Sequence, residues 1–357
     1  MSQSIRVGFL GAGGIARAHA YALDTLKYYY TNIPPIKKVV VASPTLQSRE
    51  TFAVRYGFSD AIPPDEIWHR TDIDTIYLLG PNETHTLQLV NAVKHPHIQR
   101  IYVEKPVGVS QEDLETLEAI NLSNHRKTIF IGFQYPQKSA LRKALAHWKS
   151  GVFGEPVHFR AEYLHSSYLD PAYRQNHQDR LKPIPVNGAA ADLGSHSLSL
   201  LAAFLGEGLS IRGAATSGQY EDVPGESDLC TTAIIEDQSS GAIGTLVASR
   251  ISAGTGDHFT FEIYGKRGTL SFNTSQPDCY ISYLPEEGWR RHDVNSDYQP
   301  ASKFPADYAP AGWLRALVHN HYLFLGGEST NRFIPDLAHG IYVQKLLNQI
   351  AEFVLSK

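Results

Sequence analysis

Short apolar runs alternate with helical patterns along the first 135 residues of this 357-residue chain. Five apolar runs are predicted strands, at residues 5–10, 38–42, 74–79, 100–103 and 128–132. Four helical patterns lie between them, at residues 15–28, 49–56, 84–93 and 111–121. Strands that are apolar throughout and alternate with helices are typical of a parallel sheet covered on both faces. The alternation therefore predicts a doubly wound α/β domain over residues 1–135.

The pattern changes after about residue 150. Residues 157–165 alternate between apolar and polar, and a long loop follows through Pro185. Five more strands are predicted at residues 211–217, 229–236, 241–250, 258–264 and 268–272, and apolar helices at 192–205 and 335–355. Short polar turns between strands are typical of antiparallel hairpins. We therefore predict a second α/β domain over residues 136–357 with an open, mostly antiparallel sheet, its final helix free to pack back on the first domain.

Composition excludes several classes of protein. The net charge of −4 gives no basic footprint for nucleic acid or an anionic membrane, and no apolar run is long enough to span a bilayer. The N-terminus lacks the features of a signal peptide, and Cys230 and Cys279 form no disulfide or CxxC pattern, so we expect a cytoplasmic protein. The closest histidine pairs, at 95/97 and 319/321, show no metal-binding pattern and are expected to be solvated or structural.

A glycine-rich turn directly follows the first predicted strand. Residues 11–16 read GxGxxA and contain Gly11, Gly13 and Gly14. Between a buried strand and a helix, such glycines allow a tight turn and the close approach of a pyrophosphate to the helix N-terminus. A flexible loop is the alternative. The context favours a dinucleotide, bound by residues 11–15, that is by Gly11, Ala12, Gly13, Gly14 and Ile15.

The residue after the second predicted strand should distinguish the two nicotinamide dinucleotides. An acidic side chain at this position binds the ribose hydroxyls of NAD. Here the position is Ser43, which tolerates a 2′-phosphate, and Arg49 follows six residues later. These residues favour NADP over NAD. Alternatively, Arg49 is a solvated helix residue and Ser43 binds either ribose.

The third and fourth predicted strands also end in polar residues. Pro81, Asn82 and His85 follow the third strand, and Glu104 and Lys105 follow the fourth. The carboxyl edge of an open α/β sheet is where ligands bind, so we expect these residues to contact the cofactor. A lysine there can hold a substrate hydroxyl and shift its protonation, although a strand-end lysine can equally be a surface charge.

Asp192 and His196 are four residues apart at the start of an apolar helix, so they are expected to share one face. Histidine is well suited to accept a proton near neutral pH, and the aspartate could orient it. The alternative is that Asp192 caps the helix and His196 is a satisfied core histidine.

Six motifs occur together in one order along the chain. They are GxGxxA at 11–16, PNETH at 81–85, EKP at 104–106, GFQY at 132–135, GEPVHFRAEY at 154–163 and GAAADLGSH at 188–196. Together they resemble the Gfo/Idh/MocA oxidoreductases over essentially the whole chain. The tyrosine-rich KYYYTNIPPIKKVVVA at 27–42 and HFTFEIYGKRGTLSFN at 258–273 are most similar to its levoglucosan dehydrogenase-like branch, and its inositol dehydrogenase-like members are also similar.

The resemblance implies a Rossmann domain, a C-terminal α/β domain for substrate binding and oligomerisation, a tightly bound NAD or NADP, and redox chemistry at a carbinol carbon of a sugar, anhydrosugar or cyclitol. It implies that His196 is the general base, that Lys105 bridges the hydroxyl and the cofactor, and that Asp192 holds both side chains. Besides these three, it places possible substrate contacts at Gln134, Tyr163, His165, Tyr173, Arg174 and His177, with Gln134 also near the cofactor.

Two rival functions remain at this point. A regulator on the same fold would bind the dinucleotide without chemistry, but all three catalytic positions are filled here. Dehydrogenases of other mechanisms would need a helical YxxxK pair or a metal-ligand cluster, and we find neither in the sequence. We therefore expect an enzyme with a small polyol substrate, no metal, no nucleic-acid or membrane partner, and a homo-oligomeric state, dimer or tetramer.

Overall fold

The computed structural model describes residues 4–218, 220–294, 312–328 and 333–355. Its first sheet has six strands, all parallel, in the order β3-β2-β1-β4-β5-β6. They are β1 (Ile5–Leu10), β2 (Ile36–Ala42), β3 (Asp60–Ile62), β4 (Thr75–Leu78), β5 (Arg100–Val103) and β6 (Thr128–Ile131). The predicted doubly wound sheet is confirmed. Sequence analysis missed β3, because this three-residue edge strand is only partly buried and has no apolar run.

Four helices alternate with these strands, as predicted. They are α1 (Gly14–Tyr29), α2 (Leu46–Tyr56), α3 (His85–Lys94) and α4 (Gln111–Leu122). Core residues of the strands, such as Val7 and Phe9 in β1, are fully buried. Since all strands run parallel, the turns that follow β1, β2, β4 and β5 meet at one edge of the sheet.

The second sheet has eight strands in the order β14-β13-β12-β11-β7-β10-β9-β8. They are β7 (Pro156–Leu164), β8 (Leu209–Ser217), β9 (Cys230–Asp237), β10 (Ala242–Ser249), β11 (His258–Gly265), β12 (Thr269–Asn273), β13 (Cys279–Leu284) and β14 (Gly288–Asp293). Only the β7–β10 pair is parallel, which confirms the mostly antiparallel sheet. One face buries Phe159, Ile235 and Phe261, whereas the other exposes Ile234 and Ile243.

Within the described residues, the remaining α-helices are α5 (Ser139–Lys149), α6 (Pro171–Asn176), α7 (Ser195–Leu205), α8 (Gly312–Phe324) and α9 (Leu337–Leu355). Sequence analysis predicted α7 and α9 but missed α5 and α8, and placed α6 within a loop. The predicted domain boundary at residues 135/136 falls between β6 and α5. From α9, a Cβ at Gly340 would lie 2.7 Å from Ile131 Cγ1 of the first sheet, and the Tyr342 hydroxyl accepts a hydrogen bond from Leu209 N of the second. Within the described ranges, no helix has the length and apolarity needed to cross a membrane.

Candidate active site

The glycine turn after β1 leaves room for a ligand at the start of α1. Gly11 adopts a φ of +125°, and a Cβ there would lie 2.6 Å from the Leu79 carbonyl oxygen, so only glycine fits. A Cβ at Gly13 or Gly14 would meet no described atom within 4 Å. Ala12 and Ile15 pack against the core beside the turn. The unpaired N–H groups of the first turn of α1 therefore face an open cradle of the kind that holds a pyrophosphate.

The end of β2 places a cation beside the second candidate cofactor position. Ser43 is nearly buried directly after the strand. The Arg49 guanidinium folds back from α2, and its Nη1 donates to the carbonyl oxygens of Ser43 and Pro44, both at 3.0 Å. Arg49 is therefore not a freely solvated helix residue, since its charge is held at the strand end.

Polar side chains of the turn after β4 lie within hydrogen-bond distance of backbone carbonyl groups. Asn82 Nδ2 donates to the Val186 carbonyl oxygen at 2.9 Å. The ring nitrogens of His85 lie 2.7 Å and 3.0 Å from the carbonyl oxygens of Pro106 and Gly80. The His85 imidazole, predicted to contact the cofactor, instead braces the turns after β4 and β5 and has no ring nitrogen left for a ligand. Pro81 begins the same turn.

Lys105 reaches from the end of β5 to the second domain. Its Nζ donates to the backbone carbonyl of Asp192 at 2.7 Å and to Asp192 Oδ1 at 2.9 Å. The Lys105 side chain is 13 % exposed. The alternative of a surface charge therefore fails. The structure brings together two of the three predicted catalytic residues, across 87 positions of sequence.

Three cations surround the Asp192 carboxylate. Besides Lys105, Arg180 Nη2 lies 3.2 Å from Oδ1 and Arg250 Nη2 lies 2.8 Å from Oδ2. Burial opposes ionisation of this carboxyl, but Lys105, Arg180 and Arg250 outweigh it and hold its pKa well below the ordinary range. Sequence analysis missed both arginines. The only available signal was that Arg250 is a charged residue at the end of the strand predicted over residues 241–250.

His196 lies in an aromatic environment rather than in a pair with Asp192. Its ring packs edge-on against Phe133, Tyr135 and Tyr163, at centroid distances of 5.9, 5.2 and 5.9 Å. Its Nδ1 is buried and has no hydrogen-bond partner among the residues described. Burial lowers the pKa of His196 well below 6.5, and the Lys105 ammonium lowers it further. The imidazole is therefore neutral near pH 7.

Asp192 does not orient the His196 imidazole, contrary to expectation, and the backbone conformation explains why. In the described part of the chain, the Asp192 carboxylate makes no hydrogen bond to His196; it binds the three cations instead. The cause is a π-helical turn over Ala190–Gly194 that precedes α7. In such a turn the hydrogen bonds run from i to i+5, so the α-helical rule that places residues four apart on one face does not hold.

A tyrosine pair lies beside His196. The hydroxyls of Tyr135 and Tyr163 both donate to Asp257 Oδ1, at 2.7 Å and 2.8 Å. His165 packs against Tyr163, and its Nε2 is buried without a partner in the described ranges. Tyr163 and His165, the predicted substrate contacts, therefore lie near His196. Asp257 was missed, since it lies in a turn with no pattern of its own.

The other predicted substrate residues have mixed placements. Arg174 donates to both carboxylate oxygens of Asp222, at 2.7 and 2.9 Å, and to the Tyr168 carbonyl oxygen at 2.7 Å. Its buried guanidinium therefore joins α6 to the loop that carries Asp222, against the expectation that it binds substrate. Tyr173 and His177 stack on each other at 4.0 Å. Gln134 is buried directly after β6, next to the Phe133 that packs on His196.

Comparison with known proteins agrees with this geometry. Residues 5–133 match the model of the oxidoreductase family with an NAD-binding Rossmann fold, and residues 141–271 match the GFO/IDH/MocA C-terminal domain. Levoglucosan dehydrogenase of Pseudarthrobacter phenanthrenivorans is 24 % identical over 318 residues, which cover 81 % of this chain and 79 % of that protein. Inositol 2-dehydrogenase of Acidothermus cellulolyticus is 22 % identical, covering 77 % of this chain and 74 % of that one.

Solved structures show the same fold. A levoglucosan dehydrogenase in complex with NADH and L-sorbose superposes with a TM-score of 0.85 at 21 % identity, covering 99 % of this chain and 98 % of that one. An inositol dehydrogenase homologue of Azotobacter vinelandii with NADH and myo-inositol gives 0.81 at 17 % identity, covering 99 % and 96 %. The two family matches together span more than half of the sequence, and the chain belongs to the Gfo/Idh/MocA family of NAD-binding oxidoreductases.

Proposed function

We propose that this oxidoreductase interconverts a secondary alcohol and a ketone on a sugar, an anhydrosugar or a cyclitol, with Lys105, Asp192 and His196 as its catalytic residues. The observation that carries the proposal is the Lys105 ammonium, held 2.9 Å from Asp192 Oδ1 and near enough to the buried His196 to lower the pKa of that imidazole. A fixed cation and a proton acceptor are the two groups that alcohol oxidation needs from the protein.

The roles follow from the charges of the residues. The bound nicotinamide dinucleotide supplies the hydride acceptor. Lys105 stabilises the negative charge that develops on the substrate oxygen, because its ammonium is already ordered by Asp192 and needs no reorientation. His196 accepts the hydroxyl proton, since it is unprotonated near pH 7. Asp192 positions Lys105 and not, as first expected, the imidazole.

The substrate class rests on the polar side chains beside His196 and on the relatives. Tyr163, His165 and the Asp257 carboxylate present hydrogen-bonding groups beside His196. Such groups suit a polyhydroxylated ligand. The relatives named for their substrates act on levoglucosan, inositol and glucose 6-phosphate. A cofactor-sensing regulator remains the second candidate, but it would not require an ordered lysine beside an unprotonated histidine.

The proposal is tested by a spectrophotometric screen of the purified protein. NAD and NADP would each be combined with sugars, anhydrosugars and inositols. Dinucleotide reduction would be followed by the absorbance of the reduced nicotinamide at 340 nm. We expect turnover with at least one polyol. Tight dinucleotide binding with no turnover on the whole panel would favour the regulator. The homo-oligomeric state stays a prediction.

We further propose a preference for NADP, supported by Ser43 and by the Arg49 guanidinium that is held over the end of β2. Ser43→Asp is expected to shift the ratio of kcat/KM values towards NAD by about tenfold or more, because a carboxylate binds the ribose hydroxyls of NAD and repels a 2′-phosphate. Measuring kcat/KM with both dinucleotides checks this expectation. Ser59→Asp, which adds the same charge at an exposed site before β3, should leave the ratio unchanged. An unaltered ratio in Ser43→Asp would mean that the adenosine ribose is recognised elsewhere.

A further inference from the structure

A chain of buried polar groups ends at the backbone of Lys105. His321 on α8 faces His19 on α1, with 3.0 Å between His321 Nε2 and His19 Nδ1. His19 Nε2 lies 2.8 Å from Glu104 Oε1, and Glu104 Oε2 accepts the Lys105 N–H at 3.2 Å. Both histidines are fully buried, and Glu104 is 7 % exposed. Lys105 is therefore tied to helices α1 and α8 through the side chains of Glu104, His19 and His321.

The directions of these hydrogen bonds follow from the fixed end of the chain. His321 Nδ1 lies 2.9 Å from the Leu317 carbonyl oxygen, which only accepts, so this nitrogen carries a proton. Burial keeps the pKa of His321 well below 6.5, so its Nε2 is an acceptor. His19 must then donate from Nδ1. The remaining bond, between His19 Nε2 and the Glu104 carboxyl, also needs a proton, and His19 and Glu104 share it as a net-neutral pair.

The surroundings of the chain are aromatic. Tyr77 and Tyr102 pack against His19 at centroid distances of 5.7 and 5.0 Å, and both stack or tilt against His321 at 5.3 Å. His85 and Lys105 are the other titratable groups near Glu104, and His85 is bonded to backbone carbonyls. Glu104 also lies against Gly132, where a Cβ would be 2.7 Å from Oε1. Water has little room to replace a lost partner in this packing.

The arrangement connects the two halves of the candidate site. His19 lies five residues beyond Gly14, on the helix whose first turn faces the dinucleotide cradle. Glu104 directly precedes Lys105 at the strand end. We infer that His19 and Glu104 are positioning residues, which fix Lys105 relative to the dinucleotide through this hydrogen-bonded pair. The inference rests on the proposed function of Lys105.

Removing the His19 imidazole should distinguish a role in positioning Lys105 from a role in binding the dinucleotide. In His19→Leu the Glu104 carboxyl loses its partner and moves, so we expect kcat to fall tenfold or more. The dissociation constant of the dinucleotide should change less than threefold, since the glycine turn itself is intact. kcat would be measured at saturation and normalised to the number of dinucleotide sites titrated. A purely structural role would lower the melting temperature without changing this normalised kcat.

Conservative variants and a matched control sharpen the test. Glu104→Gln can accept the Lys105 N–H and donate to a neutral His19, so it should retain at least fivefold more kcat than Glu104→Leu. His19→Gln keeps one donor towards Glu104, so its kcat should lie between those of wild type and His19→Leu. The glutamine variant also serves as the test if the leucine variant does not fold. Tyr77→Phe removes a buried hydroxyl that has no partner among the described residues, from the same cluster, and should behave as wild type.

Two outcomes would overturn the inference: wild-type normalised kcat in His19→Leu and His19→Gln, or equal losses in Glu104→Gln and Glu104→Leu. Crystal structures of the variants give a readout that needs no activity. We expect the Lys105 Nζ–Asp192 Oδ1 contact, 2.9 Å in the wild type, to lengthen in His19→Leu and to persist in Tyr77→Phe. Failure of the proposed function would appear differently, as a wild-type protein inactive on every polyol.

Discussion

Replacing Lys105 with methionine is expected to lower kcat by about a thousandfold, which is within the range for loss of a preorganised group that stabilises transition-state charge. Methionine fills nearly the same volume but offers neither a positive charge nor a proton donor. The substrate oxygen would then develop its charge without the ammonium that Asp192 holds at 2.9 Å. Stopped-flow and steady-state measurements of dinucleotide reduction would give the loss directly.

Binding and folding should survive this substitution. Asp192 keeps Arg180 and Arg250 at 3.2 and 2.8 Å, so its buried carboxylate remains paired. The dissociation constant of the dinucleotide should stay within about threefold of wild type, because the proposed role of Lys105 is to stabilise the transition state and not to bind the dinucleotide. Lys182→Met is the matched control, since it removes an exposed lysine whose ion pair is with Glu83. Turnover by Lys105→Met at the wild-type rate would remove Lys105 from the mechanism.

Substituting His196 by glutamine is expected to lower kcat by about 10²–10⁴-fold, the usual contribution of a general base. Glutamine preserves polarity in the aromatic environment of Phe133, Tyr135 and Tyr163 but cannot accept a full proton. Dinucleotide binding should not change. His158→Gln, on the exposed face of the second sheet, is a control for the substitution itself.

The pH dependence gives an independent measure of the same residue. Because burial and Lys105 lower the pKa of His196, its basic form is present above that lowered pKa and is lost as the pH falls through it. The acidic limb of the kcat/KM profile should therefore lie below pH 6.5 in the wild type and be absent in His196→Gln. A wild-type limb above pH 6.5, or one that persists in the variant, would assign the base to another group.

Much of the fold was predictable because its buried strands contain apolar residues that are adjacent in the sequence. β1, β2, β4 and β5 each contain a run of mostly apolar residues that is buried on both faces of the sheet. β14 was missed for the opposite reason, since its sequence GWRRHD is that of an exposed edge strand. Helix α8 was missed because residues 315–324 mix polar and apolar side chains, and these are buried against α1 and β6.

The sequence predicted only those residues of the candidate site that belong to short motifs. Lys105 and Asp192 belong to short motifs at element ends, and the structure brings them into contact. Arg250 reaches Asp192 from 58 residues away, and His321 reaches His19 from 302 residues away, so no local pattern reveals either pair. The π-helical turn at Ala190–Gly194 has no sequence signature, and it is what makes the expected Asp192–His196 pair wrong.

The way in which Arg174 is bound has a consequence for engineering. Because its guanidinium is saturated by Asp222 and by the Tyr168 and Leu169 carbonyl oxygens, the short helix α6 is held by anchors of its own. One of them also connects α6 to the cluster around Asp192, because the Tyr168 ring packs against Tyr173 and lies 4.7 Å from the Arg250 guanidinium. A library that randomises the exposed positions of α6 should therefore retain Arg174, Asp222 and Tyr168, so that the packing beneath Arg250 is kept.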